Sequence, residues 1–416
     1  MIAVDDLLSK LPAPSLPKPL GRAPLHVVYG GAHLFRKDLA QRLGARAREV
    51  LDTYVEDGRA LAALGVDAAS ADDVRARVAD KLAKEPVEDL RIDFEDGFGV
   101  RADDEEDHHA RGAGAALRAS FAEGLAPPFV GLRVKAMDRL PRAARTLSLF
   151  LEALGPLPPG RSLLVTLPKV GDAASVAVFA ELLSRAERAF GLPDRSLAAE
   201  IMVEHPGALI NEGRLVLADL VRALEGRCVA AHFGSYDWSS SLGIAALDQH
   251  VHHPACDVGK LLALVSLSGS GVRLADGATT TLPIAPHKAP TGEAERAENR
   301  RVVRGALARH CADVRRSLSL GLYQGWDLHP AQLVSRYAAV FAFYREALPT
   351  ASARLAAFVM GAAQASRVGT AFDDAATARG LVGFFARGLA SGALDAGDVA
   401  ATGLAVEQIE QPTLFG

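Results

Sequence analysis

The sequence predicts an α/β protein, a (β/α)8 TIM barrel with a helical insertion and appended C-terminal helices. Three observations point there. Eight short apolar runs alternate with helix-patterned segments between residues 25 and 335. Ionisable residues gather at the C-terminal end of one run after another, the end where barrel enzymes assemble their sites. The chain's 416 residues, 49% of them hydrophobic, suffice for one large decorated core. An open, doubly wound sheet is the alternative topology.

The elements follow in order. Residues 1–24 are proline-rich and read as an extended leader. "LHVVYGG" gives the first strand, and residues 36–86 carry apolar positions at helical spacing, which predicts two or three amphipathic helices as the insertion. "DLRIDFED", "FVGLRVKAM", "SLLVTLPKV", "AAEIMVEHP", "RCVAAHFGSYDW", "TTTLPIA" and "GLYQGWDLHP" supply the other seven strands, with helical patterns between them. Barrel residues therefore span 25–335, and residues 336–416 form a helical extension with breaks expected at "LPTAS" and "SGALDAGD".

Composition narrows the function. Lys and Arg number 46 against 50 Asp and Glu, a formal charge of −4, so the chain lacks the basic footprint of a nucleic-acid or anionic-membrane binder. A small polar partner is expected instead. Three scattered cysteines without a CxxC pair argue against disulfides and structural zinc, which fits a cytoplasmic location. The N-terminus lacks the basic start and apolar run of a signal peptide.

In "LRIDFEDGFG", strand alternation puts Leu90, Ile92 and Phe94 on one face and Arg91, Asp93 and Glu95 on the other. In a barrel the apolar face packs on helices and the charged face lines the lumen. Arg133 and Lys135, Lys169, Glu204 and His205, Asp237, and Asp327 with His329 hold the same place in other runs. Taken singly, each reads as a solvated loop residue or an ion pair. Taken together, buried charges at so many strand ends make sense only if they face one another, a metal or a ligand. His33 and His205 are secondary acid/base candidates. "DQHVHHP", with His250, His252 and His253, lacks the helical i, i+4 spacing of a zinc pair and reads as a polar loop. "GAGAAL" lies in a helix pattern, "SGSG" reads as a turn, and "DDEEDHH" reads as a solvated helix start.

With those residues collected, the chain resembles the citrate lyase beta-chain / HpcH-HpaI aldolase superfamily, which includes malyl-CoA and citramalyl-CoA lyases. "RIDFEDGFG" resembles its D-x-E-D element, "LRVKAMD" its R-x-N element, "TLPKV" its P-K strand, "IMVEHPGAL" its I-E-x-x-x-G element, "FGSYDWSSSLG" its F-G-x-x-D element and "GWDLHPAQL" its H-P-x-Q element. Lys135 stands where the family has asparagine. The resemblance implies a phosphoenolpyruvate/pyruvate-type barrel and Mg²⁺- or Mn²⁺-dependent cleavage or formation of a carbon–carbon bond next to a carbonyl, through a metal-stabilised enolate. The substrate would be a 2-oxo acid, a hydroxy diacid or its CoA thioester. By position, Glu204 and Asp237 would hold the metal and Arg133 the substrate's oxygens. Asp93, Glu95 and Asp96 would line the catalytic pocket, with Lys135, Gly234, His33 and His205 as further substrate contacts. A homo-oligomer is also implied. Mg²⁺ suits such a site because it keeps waters and uses only one or two carboxylates. Two other functions compete: a catalytically silent barrel that binds a small acid or a protein partner, and a metal-dependent hydrolase on the same scaffold.

Overall fold

A computed structural model describes residues 22–361, 366–368 and 371–410 of the chain. The expected leader lies almost wholly outside the described residues. Eight strands run parallel and close on themselves: β1 His26–Gly31, β2 Asp89–Asp93, β3 Phe129–Arg133, β4 Leu163–Leu167, β5 Leu197–Val203, β6 Cys228–Phe233, β7 Arg273–Ala278 and β8 Gln324–Asp327. Each pairs with its sequence neighbour, and β8 returns to β1 through His26↔Gly325 and Val28↔Asp327. Closure removes every sheet edge, and it excludes the open doubly wound alternative.

Seven strands fall where the sequence puts them; the seventh in order does not. "TTTLPIA" forms no strand, and β7 lies just before it, as "RLADGA". Pro283 has no N–H to give a ladder inside the threonine-rich run. The real strand has no β-branched residue, but its small side chains suit a crowded barrel wall, since a Cβ on Gly277 would collide with Ser235 Oγ.

The insertion folds as three helices, Leu39–Tyr54, Gly58–Ala62 and Ala71–Lys84. "DDEEDHH" does open the helix Asp103–Ala122, but it is not wholly solvated. Glu106 is buried among Lys135, Arg142 and Thr146. Alternation along β2 is as expected: Ile92 and Phe94 join the apolar layer under the helices, while Arg91 enters the lumen. There Arg91 bonds Asp89 and reaches Glu200 Oε2 at 3.3 Å, while Thr166 and Tyr29 each donate to Glu200 Oε1 at 2.8 Å. This fully buried ionic floor closes the barrel beneath its C-terminal mouth.

The chain divides into two units. The larger comprises Ala23–Leu267 and Val272–Ala347 and contains the barrel. The smaller comprises the described part of Leu348–Gly416 with the turn Ser268–Gly271. The helix Gln332–Met360 runs straight through "LPTAS", with Pro349 inside it, so the expected break is absent. One proline forfeits a single helical hydrogen bond, and a long apolar helix can absorb that loss. "SGALDAGD" does break: Gly392 ends the helix Ala375–Ser391 in the left-handed region, and Asp395 caps Ala396–Ala400. Among the described residues no helix is long and apolar enough to cross a membrane.

Candidate active site

All eight strands point the same way, so the residues just past β2, β3, β4, β5 and β6 meet at one mouth. Asp93 and Arg133 are register partners across β2 and β3 and form a two-pronged ion pair there. Arg133 donates to Asp93 through Nε at 2.7 Å and Nη2 at 2.5 Å. The Glu95 and Gly97 amides bond the same carboxylate at 2.9 and 2.7 Å. The ion pair left open by the sequence therefore forms, and Asp93, saturated by those donors, acts as the group that orients Arg133. Past Asp93, Arg133 Nη1 meets only longer contacts: Glu95 at 3.3 Å, Asp96 at 3.4 Å and the Met202 sulfur at 3.7 Å.

Lys169 ties this loop to β5. Its backbone is left-handed, with φ +52°, rare for a residue with a side chain. That twist aims its amide at Glu204 Oε2, 2.7 Å away, while its ammonium crosses to Glu95 at 2.5 Å and Asp96 at 3.3 Å. Burial raises the Glu95 carboxyl above its usual range, with Lys169 and Arg133 opposing. Burial acts upward on Asp96 too, but a hydrogen bond with Glu95 and the charges of Arg133 and Lys169 leave it below its usual range.

Glu204 is only 4% exposed. Burial pushes its carboxyl up to about 7; the Lys169 amide opposes that rise and the charge of Asp237 adds to it. Asp237 itself is exposed, in the first turn of the helix Ser235–Ser241. Glycine is needed between the two acids, because a Cβ on Gly234 would collide with Glu204 Cγ. Asp93, Glu95 and Asp96 are paired with Arg133 and Lys169, whereas neither Glu204 nor Asp237 forms an ion pair with a side-chain cation among the described residues.

The remaining candidates take other places. Lys135 bonds the Phe94 carbonyl at 2.9 Å and pairs with Glu106 at 3.2 Å, on the wall of a cavity of about 430 Å³ that also touches Glu95, Asp96 and Lys169. His205 is exposed and its Nδ1 accepts the Gly207 amide, capping a short turn. His33 packs against Phe98, and burial with Arg101's charge lowers its pKa. Asp327 leaves the mouth altogether and takes Arg336 and His310. His329 accepts the Ala331 amide, while Gln332 of the same motif staples the Leu328 and His329 amides to the Thr279 carbonyl. His252 bonds Asp257 and the Asp313 carbonyl. Among the described residues no group of three or more His, Cys, Asp or Glu is arranged to hold a metal ion.

Tyr29 and Trp326 join the site although neither is among the ionisable strand-end residues that the sequence marks. Their rings lie 4.4 Å apart in the lumen, with the Arg133 guanidinium 5.2 and 5.7 Å from their centres. The available signal is that each is the one aromatic carbocycle of its strand and shares the lumen phase of Arg91, through the registers Tyr29↔Arg91 and Val27↔Trp326.

No curated protein sequence matches the chain. Among solved structures it is similar to a citrate lyase from Burkholderia xenovorans, at 21% identity and TM-score 0.61, covering 93% of this chain and 98% of that one. It is also similar to CitE from Mycobacterium tuberculosis in complex with magnesium, acetoacetate and coenzyme A, at 17% identity and TM-score 0.51, covering 89% and 99%. These likenesses concern the fold. A family profile matches residues 15–415, nearly the whole chain, and by that match the protein belongs to the family described as a domain of unknown function, DUF6986.

Proposed function

We propose that the protein is a divalent-metal-dependent carbon–carbon lyase or aldolase acting on a 2-oxo acid, a hydroxy diacid or its CoA thioester. The observation that carries this reading is Glu204: a buried acid beside a second acid, neither of them in an ion pair with a side-chain cation among the described residues. Such an arrangement is costly unless a cation completes it. Two oxygen-donor carboxylates suit Mg²⁺ or Mn²⁺, which leave coordination positions for water and substrate. Glu204 and Asp237 would hold the ion. When bound, it supplies Lewis-acid polarisation of a carbonyl oxygen next to the bond that breaks or forms.

The chain's own residues supply the remainder. Asp93 fixes the Arg133 plane from one side, so the opposite edge is presented to the acid's carboxylate. Lys169 holds Glu204 by its amide and restrains Glu95 and Asp96 by its ammonium, keeping both acids from repelling the substrate. Glu95, raised by burial above the usual carboxylate range, is the acid of this loop most inclined to carry a proton. The fold's likeness to citrate lyase and to a CitE that binds magnesium, acetoacetate and coenzyme A supports the same chemistry.

Calorimetric titration with Mg²⁺, followed by exchange of the C3 protons of pyruvate in D₂O, tests the proposal. Wild type is expected to bind the ion and exchange only in its presence, and Glu204→Gln to do neither. Exchange that proceeds fully in chelator would end the assignment. Acid binding without exchange or cleavage across acid and thioester panels would favour the silent barrel instead.

A further inference from the structure

We infer that Tyr29 and Trp326 are positioning residues for the substrate's carboxylate, acting through Arg133. The inference rests on the reading of Arg133 as the acid-binding group. It goes further by assigning two aromatic residues that are not among the ionisable strand-end residues the sequence marks.

Arg133 is held from three sides. Asp93 takes its Nε and Nη2 edge, as described above. The guanidinium carbon lies 5.2 Å from the Tyr29 ring centre and 5.7 Å from that of Trp326, within cation–π range of both. The rings are themselves fixed. Tyr29 donates to Glu200 of the ionic floor at 2.8 Å, and His232 meets Trp326 edge to face at 5.1 Å and Tyr29 at 5.7 Å. The orientation of the guanidinium is therefore set from below by a stack resting on buried charges.

The two tryptophans make the case sharper. Trp238 donates its indole N–H to the Ala255 carbonyl at 3.1 Å. Trp326 buries its N–H without a hydrogen-bond partner among the described residues, an arrangement that is costly relative to a satisfied donor. Phenylalanine would avoid that cost in a purely packing role. Trp326 offers instead the strongest aromatic face for a cation, and the cation beside it is the one aimed at the mouth. Arg133 is only 1% exposed, and away from Asp93 its Nη1 has only contacts of 3.3 Å or longer, including the weakly accepting Met202 sulfur. An incoming carboxylate displaces these and meets a fork already in plane.

The test is calorimetric titration of the intact protein with oxalate in Mg²⁺, comparing wild type, Trp326→Phe and Trp326→Leu. Leucine is expected to weaken oxalate roughly three- to thirtyfold, the range of a cation–π contact, and phenylalanine to restore most of that loss. Tyr29→Leu should weaken binding similarly, again with rescue by Tyr29→Phe. In an Arg133→Lys background, the leucine variants should cost less than about twofold, because the planar fork they orient is gone. Oxalate affinity unchanged in Trp326→Leu, or lost equally in the phenylalanine and leucine variants, overturns the inference. Mg²⁺ titrated without oxalate separates the two readings: intact metal binding with oxalate affinity indifferent to residue 326 removes only the aromatic cradle. Failure of wild type to bind oxalate removes both.

Discussion

Glu200 and Glu204 lie four residues apart, on β5 and just past its end, both buried, and their carboxyls are driven in opposite directions. Burial alone would raise Glu200, yet the charge of Arg91, then that of His232, and bonds from Thr166 and Tyr29 bring it to about 2. Glu204 goes up to about 7, because burial is opposed mainly by one backbone amide. The floor of the lumen is balanced: Asp89 and Glu200 are met by Arg91 and by the charge of Arg273. The mouth is not. A balanced ionic core needs nothing further to be stable, whereas an unbalanced one marks where a cation is wanted.

The floor is the more sensitive of the two regions to loss of a single side chain. Arg91→Met strands Asp89 and Glu200 in the lumen, and removing one partner of a buried ionic set typically destabilises by about 3–5 kcal/mol. Chemical denaturation should show that loss, with the midpoint falling steeply. A loss below about 1 kcal/mol would mean that the floor is hydrated and weakly coupled.

At the mouth the sign should reverse. Glu204→Gln keeps an acceptor for the Lys169 amide and removes an uncompensated charge, so metal-free stability at pH 8 should rise by about 1–3 kcal/mol. Affinity for Mg²⁺ should fall by roughly 100-fold or more, beyond what loss of an outer-shell group does.

The pH dependence sharpens the same contrast. Glu204 is raised above its unfolded value of 4.5, so between pH 4.5 and about 7 the native state holds the extra proton. Metal-free stability from this group therefore falls as pH rises through that window. Glu200 is depressed, so its contribution is present above pH 4.5 and is lost as pH falls toward about 2. Glu204→Gln or saturating Mg²⁺ should flatten the neutral slope and leave the acid limb alone, which denaturation at a series of pH values would read. Mg²⁺ affinity should rise with pH by up to about tenfold per unit below pH 7 and level off above it.

Gly234→Ala probes geometry rather than charge. A methyl group in collision with Glu204 Cγ must move that side chain or the backbone beside it, at a cost of about 1–3 kcal/mol. Mg²⁺ affinity is expected to drop with it, while the Arg91 network and its acid-limb pH dependence stay as in wild type.

Much of this was legible in the chain and some was not, for reasons that differ by residue. Alternation along "LRIDFED" put Arg91 and Asp93 in the lumen, because one face of β2 must meet the helix layer. Parallel strands then delivered Arg133, Lys169 and Glu204 to one end. The seventh strand was misplaced because Arg273–Ala278 is built from small and charged residues that only a closed lumen accommodates. Asp327 carried the same outward signs as Asp93 yet serves Arg336 and His310, since strand-end position does not say which way the chain turns next. The left-handed backbone at Lys169 and the rings beneath Arg133 come from tertiary contacts that no local pattern encodes.

The smallest expected effect belongs to a residue the mouth could have claimed. His205 follows Glu204 directly, but it is exposed and its Nδ1 accepts the Gly207 amide at 3.0 Å. A side chain capping a three-residue turn contributes about 0.5–1 kcal/mol. His205→Ala should therefore lower stability by that amount and leave Mg²⁺ and oxalate titrations within about twofold of wild type. A large loss of Mg²⁺ binding would place the imidazole among the groups that serve the cation and weaken the contrast between a saturated periphery and an uncompensated Glu204. His205→Asn separates the two causes, because its side-chain oxygen can still cap Gly207 while it lacks the imidazole: restored stability with restored titrations assigns the residue to the turn alone.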